Sequence, residues 1–194
     1  MKNEKHSGMS CITLRIEGEI SDVTERRWRD ELRCLSIDDG DRRCLFVTLN
    51  SHGGGLLAAA RIAGALSAWR GPRFVTVRGA CESAGLLLLA SFPRRSADLG
   101  SVFEFHQPII DGPLASGDKT MLVQARRALA RRLAAGFGKP VPEMERHLAL
   151  GTRLTANEAK AMGLIGEVHI GSRRLSAQRT RWEGGEEKLS LARM

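Results

Sequence analysis

Apolar and polar residues alternate at Ile12, Leu14 and Ile16, the period-two pattern of a strand with one buried face, ending at Gly18. The period then changes. Val23, Trp28, Leu32 and Leu35 fall on one side of a helix over 22–35, with Asp22 and Glu25 as its N-terminal cap. Ser36 to Arg43 is polar and turn-like, and Cys44 to Leu49 is a continuous apolar run, as in a strand buried on both faces. Glycines at 53, 54 and 55 break that run before an alanine-rich helix from Leu56 to Trp69. Arg73 to Arg78 predicts a third strand, broken at Gly79, and Ser83 to Ala90 predicts a buried helix.

Val102 to Phe105 reads as another strand, followed by a loop over 107–117 and a long helix from about 118 to 135. Pro140 and Pro142 interrupt before a helix that ends near Leu150. Thr155 and Glu158 have the spacing of a capping box at the start of the next helix, and Val168 to Ile170 is a last strand. Strands alternating with helices predict an α/β fold built from right-handed crossovers, with no internal repeat. From Gly171 the chain is polar, with Arg-rich and Gly-Gly-Glu-Glu segments, and is expected to be a loosely held tail over 171–194.

Composition narrows the class. The 194 residues suit one domain, 42% hydrophobic and 27% charged, large enough to bury a core without metals or disulfides. No apolar run approaches the ~20 residues that span a bilayer. The segment from Met1 to Ser10 is polar, unlike a secretory signal, so a soluble cytoplasmic protein is expected. The four cysteines have no C-x-x-C spacing and no paired histidines at ligand distance. They are expected to be core residues, with no metal and no cofactor. The net charge of +8 is mostly arginine, without interleaved aromatics. Arg126, Arg127, Arg131 and Arg132 paint one side of a helix, which reads as a solvated or subunit-contact face and not as a nucleic-acid surface.

Two strand-to-helix junctions carry candidate chemistry. In Asn50-Ser51-His52-Gly53-Gly54-Gly55, glycines let the backbone approach a ligand and offer N–H groups to negative charge. A phosphate loop is excluded by the missing Gly-Lys-Ser/Thr ending and the missing G-x-G-x-x-G. In Gly79-Ala80-Cys81-Glu82-Ser83-Ala84-Gly85, small residues flank a serine that by itself would read as a helix cap. With an amide loop before it, Ser83 is a candidate nucleophile, because a carbonyl held there meets both a hydroxyl and oxyanion donors. A hydroxyl needs a base, and His106 ends an apolar strand in Phe103-Glu-Phe-His106-Gln-Pro108.

These motifs, with Leu154-Thr155-Ala156-x-Glu158-Ala159-x-x-x-Gly163-Leu164-Ile165, resemble the proteolytic subunit of the Clp protease in order and approximate spacing, from about Ile12 to Ile170. The resemblance implies a ClpP/crotonase-like spiral of ββα units with a handle helix. The peptidase domain would cover 1–170, its handle about 107–138. It implies a serine-type endopeptidase with catalytic Ser83 and His106 and oxyanion amides at Gly54 and Ala84. It further implies peptide or unfolded protein substrates lying along the adjacent strand, and homo-oligomeric rings joined through the handle.

The departures are as specific. The family's third catalytic residue, an aspartate, aligns with Gly151, and no Asp follows Asp118. Thr152, Asn157, Glu158 or a backbone carbonyl are the candidates to orient His106. His52 stands where the family has proline, Gly166 replaces an acid, and the span between His106 and Gly151 is a few residues shorter. The polar N-terminus lacks the family's apolar axial segment, which argues against an AAA+ unfoldase partner. Two other readings follow. One is a non-catalytic subunit that keeps the ring contacts. The other is an acyl-CoA-binding enzyme of the enoyl hydratase type, for which Glu82 and Glu104 are the available carboxylates.

Overall fold

The computed structural model describes residues 11–36, 43–109 and 118–170. Among these residues seven strands form one sheet: β1 (Cys11–Ile20), β2 (Cys44–Gly54), β3 (Arg73–Glu82), β4 (Arg94–Asp98), β5 (Val102–Glu104), β6 (Arg153–Thr155) and β7 (Glu167–His169). The helices are α1 (Asp22–Ser36), α2 (Leu56–Ala68), α3 (Ala84–Ala90), α4 (Asp118–Phe137), α5 (Val141–Leu150) and α6 (Ala156–Ala161). The main path runs β1-β2-β3-β4-β7 with every pair parallel, and only β5 with β6 is antiparallel. This is the α/β fold with a mostly parallel sheet that the alternation of elements predicts.

The sheet buries its alternate residues as the sequence pattern demands. Ile12, Leu14 and Ile16 of β1 and Leu45, Val47 and Leu49 of β2 are all buried. Helix α3 is buried along all seven residues, and each of its leucines stabilises the fold by ~2 kcal/mol through removal of apolar surface from water. Helix α4 is different at its two ends. Leu129, Ala130, Leu133, Ala134 and Phe137 are buried, whereas Met121 and Val123 near its start are exposed. Arg127, Arg131 and Arg132 are exposed, as a solvated face requires, and Arg126 is half-buried.

One feature of the topology positions the site. Strand β3 pairs with β4 over Phe74–Val77 and then, beyond Gly79, with β5 over Ala80–Glu82. The sheet therefore divides at Gly79. The branch carries β5, whose last residue Glu104 pairs with Glu82 beside the turn at Ser83, and His106 follows two residues later.

Several expectations change. Strand β1 continues past Gly18 through a bulge between Glu17 and Glu19, β2 runs on because Gly53 and Gly54 pair with Glu19 and Ile20, and β3 runs past Gly79 because Ala80–Glu82 pair with β5. Strands β4 and β6 have no apolar alternation (Arg-Arg-Ser-Ala-Asp and Arg-Leu-Thr) and exist through pairing alone. Val23 is exposed, and the cap of α1 is not Asp22 but Ser21, whose Oγ accepts the Thr24 N–H at 3.3 Å. Glu25 is instead buried, 3.3 Å from Arg29. The capping box at Thr155 and Glu158 is present with both of its reciprocal bonds. Of the cysteines only Cys44 and Cys81 are buried; Cys11 and Cys34 are exposed, because each lies on the outward period of its element. No helix among the described residues is long and apolar enough to cross a membrane. The N-terminal segment, the turn over 37–42, the loop over 110–117 and the 171–194 tail lie outside the described residues.

Candidate active site

The amide loop at the end of β2 is built by two polar side chains. Ser51 is fully buried; its Oγ donates to the Gly18 carbonyl at 2.6 Å and accepts the Gly53 N–H at 3.1 Å. Asn50 reaches across to the second junction, where its Oδ1 accepts the Ala80 N–H at 2.9 Å. Gly79 is required by that bridge, since its φ is +109° and a Cβ there would lie 2.5 Å from Asn50 Oδ1. The two junctions are thus one unit, joined before any catalytic residue is considered.

Ser83 forms the turn between β3 and α3 with φ 52° and ψ −119°, the only positive φ of a non-glycine residue among those described. Such a conformation costs of order 1–3 kcal/mol and persists only where the surroundings impose it. Here the Ser83 N–H donates to the Glu104 carbonyl of β5 at 2.8 Å, while Gly53 packs against the turn from the other side. A Cβ on Gly53 would lie 2.8 Å from Ser83 Cβ and 2.9 Å from the Glu82 carbonyl oxygen. The result is a serine elbow, in which a strained strand-to-helix turn presents the hydroxyl. We predict that Gly53→Ala, which combines this clash with a φ of +99°, lowers unfolding free energy by about 2 kcal/mol in urea titration.

His106 is half-buried two residues beyond the carbonyl that holds Ser83. Its Nδ1 is 3.0 Å from the backbone carbonyl of Gln107. A carbonyl only accepts, so in the neutral ring this contact favours the tautomer with its proton on Nδ1. Gln107 is itself held through its Oε1, which accepts from Arg126 of α4 at 3.2 Å. The other candidate orienters are engaged elsewhere. Thr152 Oγ1 meets His147 Nδ1 at 3.1 Å, and the Glu158 carboxylate accepts the Thr155 N–H and hydroxyl at 2.8 Å each. Among the described residues, no hydrogen bond joins the Ser83 hydroxyl to the His106 ring or Asn157 to that ring. Catalytic hydrogen bonds of unliganded sites are often long and close only on substrate.

A family model described as Clp protease matches residues 9–171 of this arrangement. The chain belongs to the Clp protease family. Similar curated proteins include the ATP-dependent Clp protease proteolytic subunit 1 of Protochlamydia amoebophila (strain UWE25). That protein is 28% identical over 159 residues, covering 78% of this chain and 74% of the relative. The ATP-dependent Clp protease proteolytic subunit 2 of Frankia casuarinae is 30% identical over 156 residues, covering 77% and 71%.

Gly151, where the resemblance puts the family's aspartate, has a clear local structure. Gly151 is the left-handed C-cap of α5, with φ 61° and ψ 43°. The nearest atom to a Cβ built there is the Phe105 carbonyl oxygen at 3.9 Å, next to His106. The place is therefore open, and it faces the carbonyl of the residue before His106. His147, one turn earlier, packs its ring 5.4 Å from that of Phe105, and burial lowers its pKa. Nothing in the apolar pattern marks His147 or the Gln107 carbonyl, because neither contact depends on hydrophobic periodicity.

The substitutions at the rim of this Clp-type site form a pair. His52 Nδ1 lies 2.8 Å from Glu82 Oε2, joining the amide loop to the residue before Ser83. Glu104, opposite Glu82 in the ladder, is 3.7 Å from Arg153. Both carboxylates available to the enoyl hydratase reading thus face a basic partner. Cys81, two residues before Ser83, is fully buried, and burial with the nearby Glu82 charge pushes its thiol pKa up, which keeps it protonated and unreactive.

Proposed function

We propose that the chain is a serine endopeptidase working through a Ser83–His106 dyad, with the Gln107 carbonyl in the role that an aspartate usually fills. The observation that carries this reading is the Nδ1 contact of His106. A carbonyl acceptor selects the tautomer whose Nε2 can take the Ser83 proton, although it supplies no full negative charge to stabilise the imidazolium that results. Ser83 attacks the peptide carbonyl, His106 takes its proton and then gives it to the leaving amine, and water releases the acyl group from Ser83 in a second round.

The oxygen that becomes negative in each step is assigned to the N–H groups of Gly54 and Ala84. Supporting this, the Gly53 N–H is already taken by Ser51 Oγ and that of Gly55 by the Ile20 carbonyl, which leaves Gly54 as the loop donor. Ala84 N lies 3.2 Å from the position of a Gly53 Cβ, so the Ala84 amide adjoins the residue before Gly54. The exposed Met121 and Val123 on the outer part of α4 support a homo-oligomer assembled through that helix. Peptides or unfolded proteins are the substrates that such a site suits.

A second reading is favoured by Gly151 and by the lack of a Ser83–His106 hydrogen bond: a subunit that assembles without cleaving. Incubation of the isolated protein with an unfolded, fluorescently labelled protein separates the two. Release of peptides by the isolated chain is expected from the dyad; activity that appears only on mixing with a second, intact Clp subunit would support the scaffold instead.

A further inference from the structure

Outside the site, two cysteines share one rung of the sheet. The parallel ladder of β1 and β2 pairs Cys11 with Cys44, and the next rung pairs Ile12 with Leu45, both buried. Residues matched in this way project from the same face, so the two sulfurs leave the sheet side by side. Neighbouring strands lie ~4.8 Å apart, within the ~4.4–6.8 Å between Cα atoms that a disulfide spans. The two thiols also sense one another. Burial pushes Cys44 up to about 12, and the charge and hydrogen bond of the Cys11 thiol add to the rise, with Arg94 acting against it.

We propose that Cys11 and Cys44 are a redox modification site, a dithiol that closes to an intrachain disulfide when the protein meets a small-molecule disulfide such as oxidised glutathione. The asymmetry of the pair sets the order of events. Cys11 is exposed and is the sulfur a reagent can reach; Cys44 is only 6% exposed and acts second. The Cys11 thiolate attacks one sulfur of oxidised glutathione, and the first glutathione leaves as thiolate. Cys44 is protonated at rest, as Cys81 is, but it alone has the mixed disulfide on its own rung: its sulfur attacks Cys11 as its proton passes to the departing second glutathione sulfur, and the mixed disulfide breaks. Two protein thiols are oxidised and one glutathione disulfide is reduced to two thiols. Cys34 is exposed on α1 and Cys81 is buried in β3, so neither shares this rung. The bond lies at the opposite end of β2 from Gly54, where it ties the scaffold and leaves the catalytic groups untouched.

The test is a peptide map of the folded, full-length protein after incubation with oxidised glutathione, alkylation of unreacted thiols and trypsin digestion without reductant. Arginines and lysines isolate each cysteine on its own peptide, 6–15 for Cys11 and 44–61 for Cys44. The expected product is these two peptides joined by a disulfide, with Cys81 alkylated and Cys34 carrying glutathione or the alkyl group. In Cys44→Ser the reaction should stop at a glutathione adduct on Cys11. A wild-type protein in which Cys11 keeps its glutathione while Cys44 is alkylated would overturn the proposal. So would unreacted Cys11, or Cys11 joined to Cys34.

Discussion

Replacing Ser83 with alanine is expected to lower peptide hydrolysis by at least about 10²-fold, and His106→Ala by a similar factor, with the double variant no slower than either. The size follows from how such residues act as a unit. In a serine protease with a complete triad, loss of the aspartate costs ~3 × 10⁴ in turnover, and loss of the serine or of all three costs ~2 × 10⁶. A site that already lacks the carboxylate therefore has a factor of ~10² left to lose, and more if the Gln107 carbonyl does part of the aspartate's work. Steady-state cleavage of a fluorogenic peptide by the three variants checks this. Multiplying losses in the double variant would mean that Ser83 and His106 do not serve one step.

Installing the missing acid should act in the other direction. Gly151→Asp is expected to raise turnover by about tenfold to a hundredfold, below the ~10⁴ that separates an asparagine from an aspartate at this role in a complete triad. Space is available, because a Cβ at this position approaches only the Phe105 carbonyl oxygen, at 3.9 Å. The backbone there is left-handed, with φ 61°, a conformation that Asp tolerates better than most residues at a cost of ~1 kcal/mol. Gly151→Asn is the control, since it has the same shape and backbone cost without the charge, and its rate should stay near that of the parent. Equal rates for the two variants would show that no carboxylate at 151 reaches the His106 ring. The gain should vanish in a Ser83→Ala background.

Periodicity carried the sequence reading furthest where burial dictates residue type. The apolar runs of β2 and α3 and the alternation in β1 are visible because each of those residues faces a packed neighbour. Strands β4 and β6 were not legible, since Arg-Arg-Ser-Ala-Asp and Arg-Leu-Thr are strands by virtue of their partners and not of their own propensity. The apolar pattern ends before β1, β2 and β3 do for a related reason. Glycine breaks a propensity pattern, but Gly53, Gly54 and Gly79 are present because a side chain would strike Ser83, the Ile20 carbonyl or Asn50.

The site divides along the same line. Ser83, His106 and the glycine loop stand out in the sequence as motifs. Their geometry depends on contacts that no local pattern records: the buried Ser51 hydroxyl bridging Gly18 and Gly53, Asn50 bonding across to Ala80, and the Gln107 carbonyl on His106. A backbone carbonyl is present at every residue, so a contact made by one leaves no trace in the choice of side chain. The pairing of Cys11 with Cys44 is similarly a property of register, which puts residues 33 positions apart on one rung.

The most direct measurement of the central claim is covalent labelling of the intact protein by a fluorophosphonate, with the modified residue located by peptide mass spectrometry. Such a reagent needs an activated serine, a base to take its proton and donors for the phosphoryl oxygen, and it needs no knowledge of the natural substrate. The dyad predicts one adduct, on Ser83, that is absent in Ser83→Ala and forms much more slowly in His106→Ala. A wild-type protein that stays unlabelled under conditions where an active Clp peptidase reacts, or an adduct on another residue, would contradict it.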